Sequence, residues 1–305
     1  MGRKIPSTQA LMCFEAAARH QSYTRAAQEL ALTQSAVSRQ IAALEDYVGL
    51  PLFRRHQHGV SLTPAGQDYA RQVALRLAGL ERDTLDVMAH RGEGGAVSLA
   101  AVPTFATRWL IPRLPALAQA QPQLLVHIET RTRPFLFADS GFDAALYAGT
   151  PEQVRQWAGT QALMLLPEEV VPVCSPQWLQ GQDELSPDTL ARLPLLQQTT
   201  RPDAWRHWFE AQGVDAPQAH SGPRYELFSM QAAAAAHGLG MALLPRLLIA
   251  DELRSGSLVV ACQRPLRGQR GYYLVRPEQA PERPWLGIFQ HWLQQTIENE
   301  LSATN

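Results

Sequence analysis

The 305 residues include only three cysteines, Cys13, Cys174 and Cys262, and a single lysine, Lys4. The cysteines share no metal-binding or redox spacing, and their odd number argues against a disulfide framework. They are expected to be small buried hydrophobes in a protein of the reducing cytoplasm. No run of about eighteen apolar residues occurs, so no membrane-spanning helix is expected. Met1 to Ser7 lacks the apolar core of a secretory signal, and none is expected. A Gly-x-Ser-x-Gly elbow, a P-loop and paired cysteine ligands are also missing. Gly238-Leu239-Gly240 lacks the rest of a nucleotide fingerprint and reads as a helix stop. His56-Gln57-His58 offers two metal ligands where a site needs more, so no metal is expected. Glu168-Glu169 precedes an expected strand and reads as a surface edge. Neither a catalytic constellation nor a cofactor motif emerges, and an enzyme is not expected.

What is present is concentrated near the N-terminus. Net charge is −1 overall. Residues 1–62 nevertheless hold seven basic residues (Arg3, Lys4, Arg19, Arg25, Arg39, Arg54, Arg55) against four acidic ones (Glu15, Glu29, Glu45, Asp46), which leaves +3. A basic head on a neutral-to-acidic body suits docking on phosphate. Within the head, Thr33 is a plausible N-cap for a helix running to Val48. At helical spacing Val37, Ile41, Leu44 and Val48 form one apolar stripe. Ser35, Ser38 and Arg39 point away from it, with Gln34 at its edge. Gln, Ser and Arg on one face are the groups that read base edges in a DNA major groove. Upstream, Ser22 to Leu30 reads as a short helix, Ala31-Leu32 as a turn, and the small Ala26 and Ala27 permit a close crossing. The unit is a helix-turn-helix. Ser7 to His20 forms an earlier amphipathic helix with Leu11, Phe14 and Ala18 inward. Gly49 to Arg55 reads as a turn followed by an apolar anchor, and His56 to Thr63 as a small two-stranded wing with Arg54, Arg55, His56 and His58 at its tip.

Five ordered blocks carry a resemblance: Phe14 to His20, Thr24 to Ala27, Thr33 to Leu44, Leu52 to Arg55, and Leu62-Thr63-Pro64-Ala65-Gly66. Together they resemble the DNA-binding half of LysR-type transcriptional regulators, and Glu15-Ala16-Ala17-Ala18-Arg19-His20 is similar to the subgroup of the glycine-cleavage activator and the β-lactamase regulator. The expected DNA contacts are then Ser22, Thr24, Thr33, Gln34, Ser35, Val37, Ser38, Arg39, Arg54, Arg55 and His56. The resemblance implies a homotetramer, a dimer of dimers, that binds double-stranded promoter DNA and communicates with RNA polymerase.

Thr63-Pro64 reads as a helix start, a capping Thr followed by Pro at the first helical position. The helix is expected to run about 25 residues, roughly 40 Å, to an Arg91–Gly95 hinge. Ala70, Val73, Leu77, Leu80, Thr84 and Val87 alternate three and four apart, the pattern of a coiled-coil dimerisation seam. Beyond the hinge, strands and helices alternate, which implies a mostly parallel doubly wound sheet. Strands are expected at 96–102, 124–129, 142–147, 170–174, 241–244 and 271–275. Helices are expected at 104–119, 186–193, 202–212, 227–237, 250–255 and 285–299. The expected fold class is therefore α plus α/β: a winged helix-turn-helix (1–62), a linker helix (63–91) and an effector-binding domain (92–305). The last resembles the two-lobed, periplasmic-binding-protein-like domain of the same family. Crossovers near 163–168 and 264–268 give lobe I as 96–163 with 268–300 and lobe II as 164–267. The block Phe105 to Leu114 is similar to the same subgroup.

In open α/β sheets ligands bind beyond the carboxyl ends of strands, where helix N-termini offer N–H groups to anions. Thr104 follows the first strand. Thr130, Arg131 and Thr132 follow the second, and Thr199, Thr200 and Arg201 follow the apolar stretch Leu193 to Leu196. These seven are the expected effector contacts across a cleft, and an Arg there suits an anionic or amino-acid-like effector. The rival reading, a two-lobed solute-binding protein or enzyme with an incidental helix-turn-helix, would need a secretion signal or a catalytic constellation.

Overall fold

The computed structural model describes residues 4–56, 59–90, 94–279 and 283–304. The chain divides into a head, Met1–Glu93 with Ala138–Gly141, and a body, Gly94–Phe137 with Phe142–Asn305.

Three capped helices open the head. Helix α1 (Thr8–His20) begins where the Ser7 hydroxyl accepts from the Ala10 N–H. Helix α2 (Tyr23–Glu29) begins at Ser22, which accepts from Arg25. Helix α3 (Gln34–Val48) begins at Thr33, which accepts from Ala36, and ends at Gly49 in the left-handed region. These hydroxyls satisfy N–H groups that the first helical turn leaves unpaired. Ala31 turns the chain between α2 and α3 with φ +53°. Phe14, Val37, Ile41 and Leu44 are at most 1% exposed and form the core. Val48, expected on the same stripe, is instead exposed. It is the last residue of α3, and the chain turns away at Gly49.

The wing is β1 (Phe53–His56) paired antiparallel with β2 (Gly59–Leu62). Phe53 meets Phe14 and Tyr23 edge-on, at 5.5 and 5.4 Å. Glu45 Oε1 accepts from the backbone N–H groups of Leu52 (2.7 Å) and Phe53 (3.0 Å), fastening the wing's first strand to α3. Helix α4 spans Pro64–His90. Thr63 donates to Pro51 O and accepts from Gly66 N at its start. A Cβ on Gly66 would lie 2.1 Å from Leu52 O, so only glycine allows this approach.

The expected seam on α4 divides in two. Val73 lies in the head's own core at 5% exposure, with Ala70 and Leu77 packed against it, so Val73 is not available to a second chain. Farther along, Leu80, Leu85, Val87 and Met88 are 55–70% exposed, and Thr84 is exposed too. Arg91 to Glu93 of the expected hinge lie outside the described residues.

The body contains a nine-stranded mixed sheet. Its first part comprises β3 (Gly95–Ala101), β4 (Leu124–Thr130) and β5 (Ala144–Gly149), with β3 parallel to both others. Between β3 and β4 the chain is helical but not as one helix. Helix α5 (Pro103–Phe105) widens into a π turn (Ala106–Leu110), then tightens into a 3-10 turn (Ile111–Arg113) before α6 (Leu114–Ala120). Pro112 and Pro115 remove the N–H donors that a continuous helix 104–119 would need. Helix α7 (Pro151–Arg155) follows β5.

Strand β6 (Thr160–Cys174) then runs fifteen residues and leads into the second part. That part holds α8 (Pro187–Leu190), β7 (Leu195–Gln198), α9 (Ala204–Ala211), β8 (Arg224–Tyr225), α10 (Phe228–Ala236), β9 (Met241–Pro245), α11 (Ala250–Ser255) and β10 (Val259–Val260). Strand β11 (Leu266–Pro277) returns antiparallel along β6 to β5, and α12 (Pro284–Thr304) closes the body. The sheet order is β4-β3-β5-β11-β6-β9-β7-β8, with β10 beside β6. It is less parallel than expected because the two long connecting strands enter it antiparallel. Each part has its own aromatic cluster: Phe142, Trp157 and Tyr273 in one, Trp205, Trp208 and Phe209 in the other. None of the described helices is long and apolar enough to cross a membrane.

Replacing Glu45 with Ala would strip the acceptor from the Leu52 and Phe53 N–H groups at the start of the wing. Glu45→Ala is expected to destabilise the head by about 2–3 kcal/mol, the cost of losing charge-assisted bonds from partly buried donors. Hydrogen exchange in residues 8–62 of the full chain measures this. Unchanged protection would mean that water replaces the carboxylate without loss.

Candidate functional site

On the head, Gln34, Ser35 and Arg39 are exposed on one face of α3, and Ser38 is half-buried. The Arg39 side chain reaches back to Ser35 O at 3.4 Å, a weak contact that leaves its guanidinium free to turn outward. The hydroxyls of Ser22 and Thr33 are engaged as helix caps, while Thr24 is exposed on α2. Val37, counted among the expected contacts, is 0% exposed and belongs to the core, so it cannot reach a base edge. Arg54 is exposed on the wing, and His56 Nε2 lies 2.6 Å from Ser61 Oγ. His58 lies outside the described residues, as does the side chain of Arg55. Arg19 takes no part in this face. It binds Glu15 and Glu29, and its hydrogen bonds, with those of His20, hold the Glu29 carboxyl down to about 2.

In the body a cavity of about 110 Å³ opens beyond the ends of β3 and β5. Of the seven expected effector residues it takes in Thr104, Thr132, Thr200 and Arg201. Thr130, Arg131 and Thr199 do not line it. Arg131 is turned back on its own strand, bonded to Thr130 O and Glu129 and lying over Phe142. Thr130 and Thr199 are exposed away from the cavity.

Thr104 is 6% exposed, and its hydroxyl accepts from Ser229 N at 3.3 Å. Ser229 lies in the first turn of α10, whose N-cap residue Leu227 has no side-chain oxygen to offer. Thr104 therefore caps α10 from the opposite side of the cavity. The next residue, Phe105, stacks between Tyr272 (4.4 Å) and Trp109 (4.9 Å).

Of the charged wall, Arg201 was expected from the sequence, but Arg270 and Glu168 were not. Arg201 Nη1 donates to Glu168 Oε1 at 2.6 Å, and the Arg201 guanidinium lies 4.7 Å over the Phe228 ring. Arg270 donates to Ala148 O (3.0 Å) and Gln153 Oε1 (3.3 Å), with Nε 3.7 Å from Glu168 Oε1. Glu168, expected on a surface edge, is 4% exposed, because it sits mid-strand on β6 facing Arg201 and Arg270. Burial, and then the like charge of Arg201, lower the Arg270 pKa. Burial, and then the charge of Glu168, raise the Tyr272 pKa well above the ordinary tyrosine value. Burial also raises Tyr147, across the same cavity. Two guanidinium groups and one carboxylate leave a net positive wall beside hydroxyls, an arrangement that attracts and orients a small anion.

Comparison with known proteins agrees with both halves. The family described as "Bacterial regulatory helix-turn-helix protein, lysR family" matches residues 8–67, and the "LysR substrate binding domain" matches residues 90–298. The chain is 35% identical over 294 residues to the glycine cleavage system transcriptional activator of Escherichia coli strain K12, covering 96% of this chain and 94% of that protein. It is 37% identical over 268 residues to the HTH-type transcriptional regulator TrpI of Pseudomonas aeruginosa, covering 85% and 87%. The crystal structure of the effector domain of AmpR from Pseudomonas aeruginosa superimposes with a TM-score of 0.62 at 26% identity, covering 69% of this chain and 98% of that one. Full-length AphB of Vibrio cholerae shares the fold at a TM-score of 0.59 and 19% identity, covering 94% and 98%.

The cap supplied by Thr104 yields a direct expectation. Thr104→Val keeps the side-chain shape but leaves the Ser229 N–H without its oxygen. The body should lose about 1–2 kcal/mol of stability, and Thr104→Ser should retain most of it. Denaturant melts of the two variants check this. Unchanged stability in Thr104→Val would show that α10 does not depend on this hydroxyl.

Proposed function

The chain belongs to the LysR family of transcriptional regulators, and from that premise we propose which of its surfaces carry each task. A LysR regulator binds DNA through its helix-turn-helix, binds a small-molecule effector in its two-lobed domain, and oligomerises. The exposed polar face of α3, backed by a fully buried apolar face, supports α3 as the helix that enters the major groove. On this reading Gln34, Ser35, Ser38 and Arg39 read bases. Ser22, Thr24, Thr33, Arg54, Arg55 and His56 hold phosphates. Copies associate along the outer half of α4, where Leu80, Thr84 and Val87 are exposed, with Ala70 and Leu77 at the margin. The assembly is a homotetramer, a dimer of dimers, acting on promoter DNA and RNA polymerase in the cytoplasm. Regulation, not catalysis, is its activity.

The observation that carries the effector reading is the convergence of Thr104, Thr200, Arg201 and Arg270 on one cavity. It supports an anionic group on the effector. Thr132 lies at the same cavity, whereas Thr130, Arg131 and Thr199 have no direct role in this reading.

Arg39→Ala removes a groove-facing guanidinium without touching the Val37–Ile41–Leu44 stripe. Discrimination between the operator and unrelated DNA should fall by about 1–3 kcal/mol, read by titration at fixed salt on the intergenic DNA beside the protein's own gene. Undiminished discrimination would remove Arg39 from the recognition face.

Leu80→Glu places a charge on the exposed half of α4, where it costs little in a lone chain but is buried and unpaired between two. Light scattering should report dissociation, and operator affinity should fall because two half-sites are no longer held together. An oligomer of unchanged mass would move the interface off this part of α4.

A further inference from the structure

A second cavity, of about 300 Å³, lies against the first. Gln153, Thr200, Arg201, Phe228 and Arg270 line both and form their common wall. Glu168 lines the second cavity but not the first, and Tyr272 lines the first but not the second. Away from this wall the second cavity has Val170, Leu243, Leu266 and Ala204 around it, with His207 and Asp203, the latter paired with Arg206.

Among the described residues lining the two cavities, four buried side-chain atoms have no hydrogen-bond partner: Gln198 Oε1 in the first cavity and, around the bulge of β11, Glu168 Oε2, Arg270 Nε and the Tyr272 hydroxyl. The backbone explains how the last three meet. Arg267 pairs with Glu169 and Gly271 with Pro167, so Gly268, Gln269 and Arg270 of β11 bulge opposite Glu168 alone. The bulge re-aims Arg270, and the strand carries Tyr272 two residues on.

Leaving buried polar atoms unanswered is costly, so their chemistry describes what completes them. Glu168 Oε2 can only accept, Arg270 Nε can only donate, and the tyrosine hydroxyl can do either. An anion alone would answer Arg270 and be repelled by Glu168. A cation alone would answer Glu168 and be repelled by two guanidinium groups. Pairing Tyr272 with Glu168 would still leave Arg270 Nε open. A molecule that carries an ammonium beside a carboxylate answers Glu168, Arg270 and Tyr272 together.

On the reading that the first cavity takes the anionic group of the effector, we propose that the second cavity is an amine subsite: Glu168 accepts the ammonium of an amino-acid-type effector whose carboxylate is held by Arg270 and Arg201. The apolar walls around Val170 and Leu243 then receive its side chain.

The test is calorimetry on the full-length protein with matched pairs of probes. These are L-alanine and propionate, L-leucine and 4-methylpentanoate, L-phenylalanine and 3-phenylpropanoate, and the D-enantiomers of the three amino acids. At least one amino acid should bind about tenfold or more tightly than its des-amino partner, the effect of a buried charge-assisted bond. Glu168→Gln should abolish that preference. Glu168→Asp, which keeps the charge, should preserve part of it. The wild-type comparison stands even if a variant fails to fold. Equal binding within every pair, or a preference that survives in Glu168→Gln, overturns the amine subsite. If such equal binding is also weakened in Arg201→Gln, the anionic-effector reading survives alone. Binding of neither member of any pair up to about 10 mM, or binding untouched by Arg201→Gln, overturns both.

Discussion

The body depends on one backbone arrangement, the antiparallel pairing of β6 with β11. These strands link the two parts of the sheet, and both remain hydrogen-bonded while doing so. Their backbone donors and acceptors are thereby satisfied in the middle of the body, where an irregular connection would leave buried groups open. The pairing is close: a Cβ on Gly271 would come within 2.9 Å of Leu166 O. It is interrupted twice, at the bulge facing Glu168 and by a one-residue shift at Leu165 between Tyr272 and Tyr273. A bulge in a ladder sets local twist and side-chain direction. The one facing Glu168 decides where Arg270 points, so the electrostatics of both cavities follow from a register shift.

The head rests on a similar economy. A narrow apolar stripe on α3 is enough to bury the helix, which leaves most of its circumference polar and outward. Glu45, on the same helix, turns inward at the far end and ties down the start of the wing. Thr63 and Gly66 then bring α4 against Leu52. Val73 completes the core from α4, so the first turns of that helix belong to the folding unit that presents α3. Only the later turns have apolar side chains to spare.

The head was legible because its determinants are local. Thr33 announces a helix start, and Val37, Ile41 and Leu44 at helical spacing mark the buried side; the structure adds the caps at Ser7 and Ser22. Periodicity alone could not say which partner an apolar residue faces. Val73 fits a seam and a core equally well by spacing, and it packs in the core. In the body six strands could be placed, but β7, β8, β10 and the first ten residues of β6 were missed, and the site could not be assembled. Glu168, Arg201 and Arg270 are dozens of residues apart and meet only through the pairing of β6 with β11 and the position of β7. A Glu-Glu pair before a strand gives no sign that one member will be buried against two arginines. Thr104 was legible because a residue following a strand and opening a helix has few places to go. Arg131 followed the same rule, but Glu129 and Phe142 offered it nearer partners.

Thr104 shows how binding and the pose of the two parts can be linked through one hydroxyl. Its oxygen already accepts from Ser229 N across the cavity. A threonine hydroxyl has one donor and two acceptor lone pairs, so the O–H remains available while the Ser229 bond stands. An acceptor such as a carboxylate oxygen can take that O–H without disturbing the cap on α10. A second donor would have to compete for the same oxygen. An effector that presents an acceptor at Thr104 therefore adds to the bond between the two parts, and its affinity is greatest when they are held as they stand here. Ligand binding shifts a conformational equilibrium only through such differential affinity. In this domain that difference would arise at a residue touching both α10 and the cavity, a few ångströms from the aromatic stack of Phe105 on Tyr272.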